Sequence, residues 1–305
     1  MAGLCEGRVA IVTGGGRGIG REYCLMLAAE GAKVVVNDLG GARDGSGADS
    51  GPAHDVVAEI KAAGGEAVAN GDDVSDYEGA GRLIQSAIDT FGTIDVLVNN
   101  AGILRDRMLV NMTIEEWDAV IRVHLRGTFA PTRHAVEYWR NRTKTGETND
   151  ARIINTTSPS GIYGNVGQTN YGAAKAGIAS FTVIAAMELG RYGVTVNAIA
   201  PAALTRMTEN LSMGAQSAAK KPEEFDPLDP GNIAPLVVWL GSSESADITG
   251  RVFNVLGGEI SVAEGWVAGP GSDKHDRWDP AELGKVIPDL VAKAAPNANM
   301  GGKRG

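Results

Sequence analysis

The sequence has few cysteines, no excess of basic residues and no long apolar segment. Its 305 residues include only Cys5 and Cys24, too few for a disulfide framework or a cysteine metal site. The net charge of −9 argues against nucleic acid as a partner, because no basic surface offsets repulsion from phosphates. His54, His134 and His275 are scattered without neighbouring carboxylates, so we expect no metal.

Apolar runs are all shorter than the ~18 residues of a membrane span, so a membrane is not an expected partner either. The first strand-like run begins at Val9, which leaves no room for a signal peptide. These features are typical of an acidic protein in a reducing compartment, and we expect a cytoplasmic location.

Runs of β-branched residues alternate with amphipathic stretches, which predicts an α/β fold with a parallel sheet covered on both faces. Strands are predicted near residues 8–13, 32–37, 66–70, 94–99, 152–156, 194–199 and 251–255. We expect one doubly wound Rossmann-type domain over residues 1–262 and an extension over 263–305. Asp279 and Pro280 predict the start of a helix in the extension, which should pack, with Trp266 and Trp278, on the domain or on a neighbouring subunit.

A glycine-rich turn follows the first predicted strand and leads into a helix. Residues 13–20 read Thr-Gly-Gly-Gly-Arg-Gly-Ile-Gly. Glycines at 14, 18 and 20 allow positive φ and close approach of the backbone to a pyrophosphate at the positive end of the helix. The pattern predicts a dinucleotide site in which Gly14, Arg17, Gly18, Ile19 and Gly20 contact the cofactor.

An acidic residue ends the second predicted strand. Asp38 stands eighteen residues after Gly20, where a carboxylate binds the adenosine ribose hydroxyls. It would repel a 2′-phosphate, so we favour NAD over NADP, although Arg17 could pair with that phosphate.

A serine, a tyrosine and a lysine form the candidate catalytic group. Tyr171 and Lys175 lie one helical turn apart, about 6 Å between Cβ atoms, and Ser158 precedes Tyr171 by thirteen residues. A phenol with a pKa near 10 becomes a usable base when a cation lowers that pKa. The group predicts proton transfer to or from an alcohol oxygen.

These motifs together resemble the short-chain dehydrogenase/reductase family. The resemblance covers roughly residues 7–260 and rests on residues 13–20, 72–74 and 99–102 with Ser158, Tyr171 and Lys175. Residues 37–41, 102–107, 123–127 and 160–165 are similar to a subgroup, the (3R)-hydroxyacyl-CoA dehydrogenase units of multifunctional enzyme type 2, also called 17β-hydroxysteroid dehydrogenase type 4, and their bacterial relatives.

The resemblance implies a seven-stranded parallel sheet of order 3-2-1-4-5-6-7. It also implies that the cofactor contacts Asp73, Val74, Asn100, Ala101, Gly102 and Pro201, and that Lys175 and Tyr171 meet the nicotinamide ribose. Assembly into a homodimer or homotetramer through two long helices is implied as well.

Two positions depart from the family pattern. His124 stands where most members have an asparagine whose main-chain carbonyl holds a relay water, so a catalytic role for the imidazole stays open beside a merely structural one. Pro201-Ala202 replaces a Pro-Gly pair, and either Thr205 or Thr208 could bond the carboxamide.

A long segment, residues 204–230, follows the sixth predicted strand at the site face, where a lid would lie. Its Lys220 and Lys221 could meet phosphates of a substrate, although a charge cluster is usually a solvated face.

We expect an NAD-dependent oxidoreductase that interconverts a secondary alcohol and a ketone, first a 3-hydroxyacyl-CoA ester. A hydroxysteroid dehydrogenase is the alternative, and a catalytically silent NAD-binding sensor or scaffold is the alternative from another class.

Overall fold

An eight-stranded sheet runs through the described part of the protein. A computed structural model describes residues 3–204 and 224–304, so Thr205, Thr208, Lys220 and Lys221 lie outside the described residues. The strand order is β3-β2-β1-β4-β5-β6-β7-β8. The strands are β1 Val9–Thr13, β2 Lys33–Asn37, β3 Glu66–Asn70, β4 Val96–Asn99, β5 Ala151–Thr156, β6 Val194–Ala202, β7 Val252–Leu256 and β8 Glu259–Val262.

Helices follow most strands and cover both faces of the sheet. They are α1 Gly18–Ala29, α2 Gly51–Ala62, α3 Tyr77–Phe91, α4 Ile114–Ile121, α5 Gly127–Lys144, the short α6 Pro159–Ile162, α7 Thr169–Leu189, α8 Ala234–Gly241 and α9 Pro280–Lys293. A π-helical turn, Arg122–Arg126, joins α4 to α5.

The core is divided by the sheet into two layers. Alternate residues of β1 point to opposite faces, so that Ala10 and Val12 join one cluster and Val9 and Ile11 join the other. The first cluster packs against α1, α2 and α8, and the second against α3, α5 and α7. This is the doubly wound arrangement, and it places the carboxyl ends of the parallel strands at one edge.

The predicted Rossmann-type architecture is confirmed, as is the order of the first seven strands. The count of seven is wrong, because β8 adds an antiparallel strand beside β7. Gly257, at φ 55°, and Gly258 form the two-residue turn between Leu256 and Glu259, a hairpin signal that the sequence contains.

Helix α7 carries the candidate Tyr171 and Lys175. With the turn after it, Thr169–Tyr192 is long and apolar enough to cross a membrane by length and composition, contrary to the sequence-based expectation that no such segment exists. Asn170, Lys175 and Thr182 are buried on this helix, which packs against β5 and β6. The core helix of a globular protein can have the same length and apolar composition as a membrane span. We therefore interpret α7 as a core helix.

The C-terminal extension runs over the surface. Helix α9 begins at Pro280 with a capping box between Asp279 and Glu282, and it buries none of its residues. Trp266 is 98% exposed, and Trp278 is partly exposed beside Lys274. In this single chain Trp266 does not pack on the domain, so its packing on a neighbouring subunit stays a prediction.

Candidate functional site

The turn between β1 and α1 forms a cradle of bare backbone. Gly14 and Gly18 have φ of 62° and 54°, a region that other residues rarely adopt. A Cβ at Gly14 would lie 2.9 Å from the Cα of Ala101, and one at Gly20 would overlap the carbonyl oxygen of Gly14. The close packing of turn, helix and β4 thus depends on the absence of side chains.

A hydroxyl of β1 fixes the segment after β4 beside this cradle. Thr13 Oγ1 accepts hydrogen bonds from the amides of Asn100 and Ala101 at 2.9 and 3.1 Å. The Asn100 side chain donates to the carbonyl oxygens of Thr13 and Gly14 at 3.0 and 3.1 Å. Residues 99–102 therefore line the glycine turn with backbone, as a dinucleotide requires.

Asp38 lies at the carboxyl end of β2 and faces the same turn. Its Oδ2 accepts a hydrogen bond from the Gly16 amide at 2.9 Å, and its Oδ1 accepts one from the Gly40 amide at 2.7 Å. Arg17 instead donates to the carbonyl oxygen of Gly41 at 3.3 Å and lies 4.0 Å from the Asp49 carboxylate. The cradle together with this carboxylate fits an adenine dinucleotide.

Other residues predicted at the cofactor have structural contacts of their own. The Asp73 carboxylate accepts hydrogen bonds from the Ser75 amide and hydroxyl at 2.8 and 2.7 Å. Val74 is buried in the core. Ile19 packs on the opposite core layer, and Pro201 is partly buried within β6.

The candidate catalytic residues meet where β5 ends beside α7. Ser158 caps the short α6, and its Oγ accepts a hydrogen bond from the Ser160 amide at 3.2 Å. The Lys175 ammonium donates to the carbonyl oxygen of Thr156 at 2.6 Å and lies 5.5 Å from the centre of the Tyr171 ring. The predicted trio is therefore gathered in one place.

Burial governs the protonation of this group. It raises the pKa of Tyr171 to about 12, an effect that a hydrogen bond with Ser158 opposes and the Asp106 charge reinforces. It also lowers the pKa of Lys175 to about 7. Near neutral pH Tyr171 therefore keeps its proton, and Lys175 is only partly charged. These residues alone do not form the phenolate that the sequence predicts.

His124 lies in the π-helical turn and is 1% exposed. Its Nε2 is 2.8 Å from the carbonyl oxygen of Ile103, and the ring stands edge-on to that of Tyr171 at 5.1 Å. Burial, with a smaller effect of the Lys175 charge, lowers the pKa of His124 to about 3. The imidazole is therefore neutral, and it bonds to the backbone that continues the cofactor wall.

Polar residues around the start of α7 also belong to the site, although the sequence did not predict them. Asn170, completely buried, donates to the carbonyl oxygens of Arg105 and Glu116 at 2.9 and 3.2 Å and accepts from the Tyr171 amide at 2.7 Å. Gln168 donates to Asp106 at 2.8 Å. These bonds fix Tyr171 against residues 105–116, and their only sequence signal is the nearness of Gln168 and Asn170 to the tyrosine.

Metal ligands are not grouped in this part of the protein. Within residues 3–204 and 224–304, no three His, Cys, Asp or Glu residues are placed to hold a metal ion.

Comparisons with known proteins agree with this geometry. The pattern of the short chain dehydrogenases matches residues 8–216. The chain is 44% identical over 306 residues to hydroxyacyl-CoA dehydrogenase ChsB1 of Mycobacterium tuberculosis, covering 97% of this chain and 92% of that protein. It is 47% identical over 256 residues to peroxisomal multifunctional enzyme type 2 of Mus musculus, covering 84% of this chain and 32% of the longer enzyme.

A solved structure shares both fold and sequence. The crystal structure of a short chain dehydrogenase from Mycobacterium avium superposes with a TM-score of 0.87 at 57% identity, covering 97% of this chain and 99% of that one.

Proposed function

The chain belongs to the short-chain dehydrogenase/reductase family, and from this premise we propose that it interconverts 3-hydroxyacyl-CoA and 3-ketoacyl-CoA esters with NAD(H). It is an oxidoreductase that acts on CH–OH groups with a nicotinamide cofactor. The observation that carries the proposal is the meeting of Ser158, Tyr171 and Lys175 beside the glycine cradle. The relative from Mycobacterium tuberculosis, whose name specifies a hydroxyacyl-CoA substrate, supports the ester.

Three residues of this chain handle the proton and the oxygen. A bound nicotinamide ring accepts or supplies the hydride. During oxidation Tyr171 removes the hydroxyl proton while Ser158 donates a hydrogen bond to the oxygen that becomes a carbonyl. Lys175 is placed to hold the ribose of a bound cofactor, and the positive ring of the oxidised cofactor together with the Lys175 charge would favour the ionised phenol that the residues alone do not produce. In reduction Tyr171 returns the proton.

We assign His124 a supporting role. Its neutral ring holds the backbone of Ile103 and contacts Tyr171 edge-on, so it orients the tyrosine and the cofactor wall.

We favour NAD as the cofactor. Backbone amides orient both Asp38 oxygens, one through Gly16 of the glycine turn and the other through Gly40, and a 2′-phosphate beside this carboxylate would be repelled. Arg17, the group that could neutralise such a phosphate, is directed toward the loop that carries Gly41 and Asp49.

A hydroxysteroid is the second candidate substrate. Met108, Leu109 and Val110 are 54%, 67% and 87% exposed directly after the segment that lines the site. Such an apolar surface suits either a long acyl chain or a steroid.

Turnover of defined substrates tests the proposal. The enzyme with NAD is offered a series of (3R)-hydroxyacyl-CoA esters and a series of hydroxysteroids, and NADH formation is followed. We expect higher kcat/KM on the esters. Preference for the steroids would favour the second candidate, and tight NAD binding without turnover of any alcohol would leave only a cofactor sensor.

We further propose a homodimer or homotetramer in the cytoplasm. Phe129 on α5 and Ile184 and Met187 on α7 are 45%, 52% and 79% exposed, which supports contact through these helices. Cys5 and Cys24 are unpaired and buried, as suits a reducing compartment. Cell fractionation tests the location.

A further inference from the structure

A cavity of about 560 Å³ lies between the loop after β2 and the segment after β4. Its lining residues are Ala42, Arg43, Asp44, Ser46, Leu104, Arg105, Asp106, Arg107 and Glu116. The two walls are joined by backbone: the Leu104 amide donates to the carbonyl oxygen of Arg43 at 3.1 Å, and Arg105 Nε donates to that of Asp44 at 2.8 Å. These two hydrogen bonds hold the walls of the cavity together.

This cavity adjoins the reaction site. Asp106, one of its lining residues, accepts from Gln168, and its charge raises the pKa of Tyr171. The carbonyl oxygen of Arg105 accepts from Asn170, the residue directly before that tyrosine. A ligand that reacts at Tyr171 can thus extend into the cavity along residues 104–107.

Two guanidinium groups of the cavity wall lie outside the ion pairs of the described residues, and the charge of one of them, Arg105, acts on the nearby Asp44 and Glu116 carboxylates. Arg107 is paired with Glu116 at 3.0 Å. By contrast, Arg43 and Arg105 form no ion pair within residues 3–204 and 224–304. Asp44 and Asp106 use their carboxylates to accept from Ser46 and Gln168. Three arginines and three acidic residues line the cavity, so its formal charges cancel. An anion would therefore be bound by direct contact with guanidinium groups and not by a net positive potential.

The chemistry of arginine identifies the ligand class. A guanidinium binds phosphate oxygens through parallel N–H donors, and its planar face stacks on an aromatic ring such as adenine. On the basis of the proposed function, we propose that this cavity binds the phosphate-bearing adenosine end of the coenzyme A thioester through Arg43 and Arg105. The 2′-phosphate of NADP could bind arginine in the same way. The experiment therefore distinguishes a phosphate of coenzyme A from that of NADP.

Variants at the two arginines test the assignment. Arg43→Gln leaves every hydrogen bond described above in place, whereas Arg43→Gln/Arg105→Gln removes both guanidinium groups together with the bond from Arg105 to the Asp44 carbonyl oxygen, so the single variant is the one that keeps the wall intact. Arg140→Gln, at an exposed position on α5, is the matched control. Each is assayed with a 3-ketoacyl-CoA ester, its 3′-dephospho analogue and the N-acetylcysteamine thioester, using NADH and then NADPH.

We expect the ratio of kcat/KM for the CoA ester over the N-acetylcysteamine ester to fall about ten- to hundredfold in the double variant, since charge-assisted hydrogen bonds are lost. The ratio should stay at the wild-type value in Arg140→Gln. An unchanged ratio in the double variant overturns the proposal. A loss confined to NADPH also overturns it, because the cavity would then serve the cofactor.

Binding of free coenzyme A separates this inference from the proposed function. Calorimetry on the protein with NADH should show that wild type prefers coenzyme A over 3′-dephospho-coenzyme A about tenfold or more, and that the double variant does not. Such binding without turnover of any thioester would contradict the proposed function alone. Turnover of thioesters with equal binding by wild type and double variant would contradict the cavity assignment alone.

Discussion

The ammonium nitrogen of Lys175 lies 5.5 Å from the centre of the Tyr171 ring. Lys175 is 3% exposed, and its ammonium group donates to a backbone carbonyl oxygen. Its charge is therefore held close to the phenol and has lost most of its contact with water. The pair combines a proton donor with a cation whose charge depends on pH close to neutrality.

Replacing Tyr171 by phenylalanine should abolish proton transfer without disturbing the fold. We expect kcat to fall by about 10²–10⁴, the range that a positioned acid or base contributes. Binding of NADH, measured by fluorescence titration, should change little. Tyr138→Phe, which removes a hydroxyl that donates to Thr93 on a remote face, should keep full activity. Retention of more than a tenth of the activity by Tyr171→Phe would assign the proton to another group.

Buried Lys175 should make the stability of the cofactor-free protein depend on pH. Its folded pKa of about 7 lies below the unfolded value of roughly 10.4, so between these values the unfolded chain binds more protons and stability rises with pH. From pH 6 to pH 9 the free energy of unfolding should increase by about 2–3 kcal/mol more in wild type than in Lys175→Met. Urea denaturation of both proteins at the two pH values measures this difference, and equal increases would place the lysine pKa near its ordinary value.

Asp38 should determine the choice between NAD and NADP. In Asp38→Asn the negative charge is lost and one oxygen remains to accept from a backbone amide, so use of NADP should improve about tenfold or more relative to NAD. The ratio of kcat/KM for the two cofactors is the measurement. Asp247→Asn, a surface change of the same kind, should leave it unaltered. If the ratio in Asp38→Asn equals that of wild type, the selection lies elsewhere, and Arg17 is the first alternative.

Ile184 should support assembly through α7. A charge placed in a packed interface is costly, so Ile184→Glu should convert the proposed oligomer into smaller species in light-scattering measurements. Ile287→Glu on α9 makes the same chemical change at a position of similar exposure, 49% against 52%, outside the two long helices. If Ile287→Glu dissociates and Ile184→Glu stays oligomeric, the interface lies on the C-terminal extension and not on α7.

The sequence predicted those parts of the fold that local patterns encode. Runs such as Val34 to Val36 followed by Asn37 and Asp38 define a buried strand and its end, and the glycines at 14, 18 and 20 define the turn that follows β1. The eighth strand was missed because β8 is short and fully exposed, and only the glycine pair before it marks the hairpin.

The parts of the site that could not be predicted depend on residues distant in sequence. His124 is bonded to Ile103 and Asn170 to Arg105, pairs joined only when α4, α7 and the segment after β4 pack together. The pKa of Tyr171 was expected to be lowered by Lys175, but burial acts on both groups and opposes the charge of each. Spacing along a helix gives proximity, whereas desolvation depends on the whole fold.

The two amide contacts of Asp38 bear on how the adenosine half of a dinucleotide would dock. Each carboxylate oxygen uses one lone pair on backbone and keeps another for a ribose hydroxyl. A ligand therefore adds bonds to a carboxylate that is already oriented, without having to break those that orient it. Little conformational freedom remains to be lost there on association, so this half of the pocket is preorganised, and the adenosine end is where we expect the dinucleotide to gain its affinity.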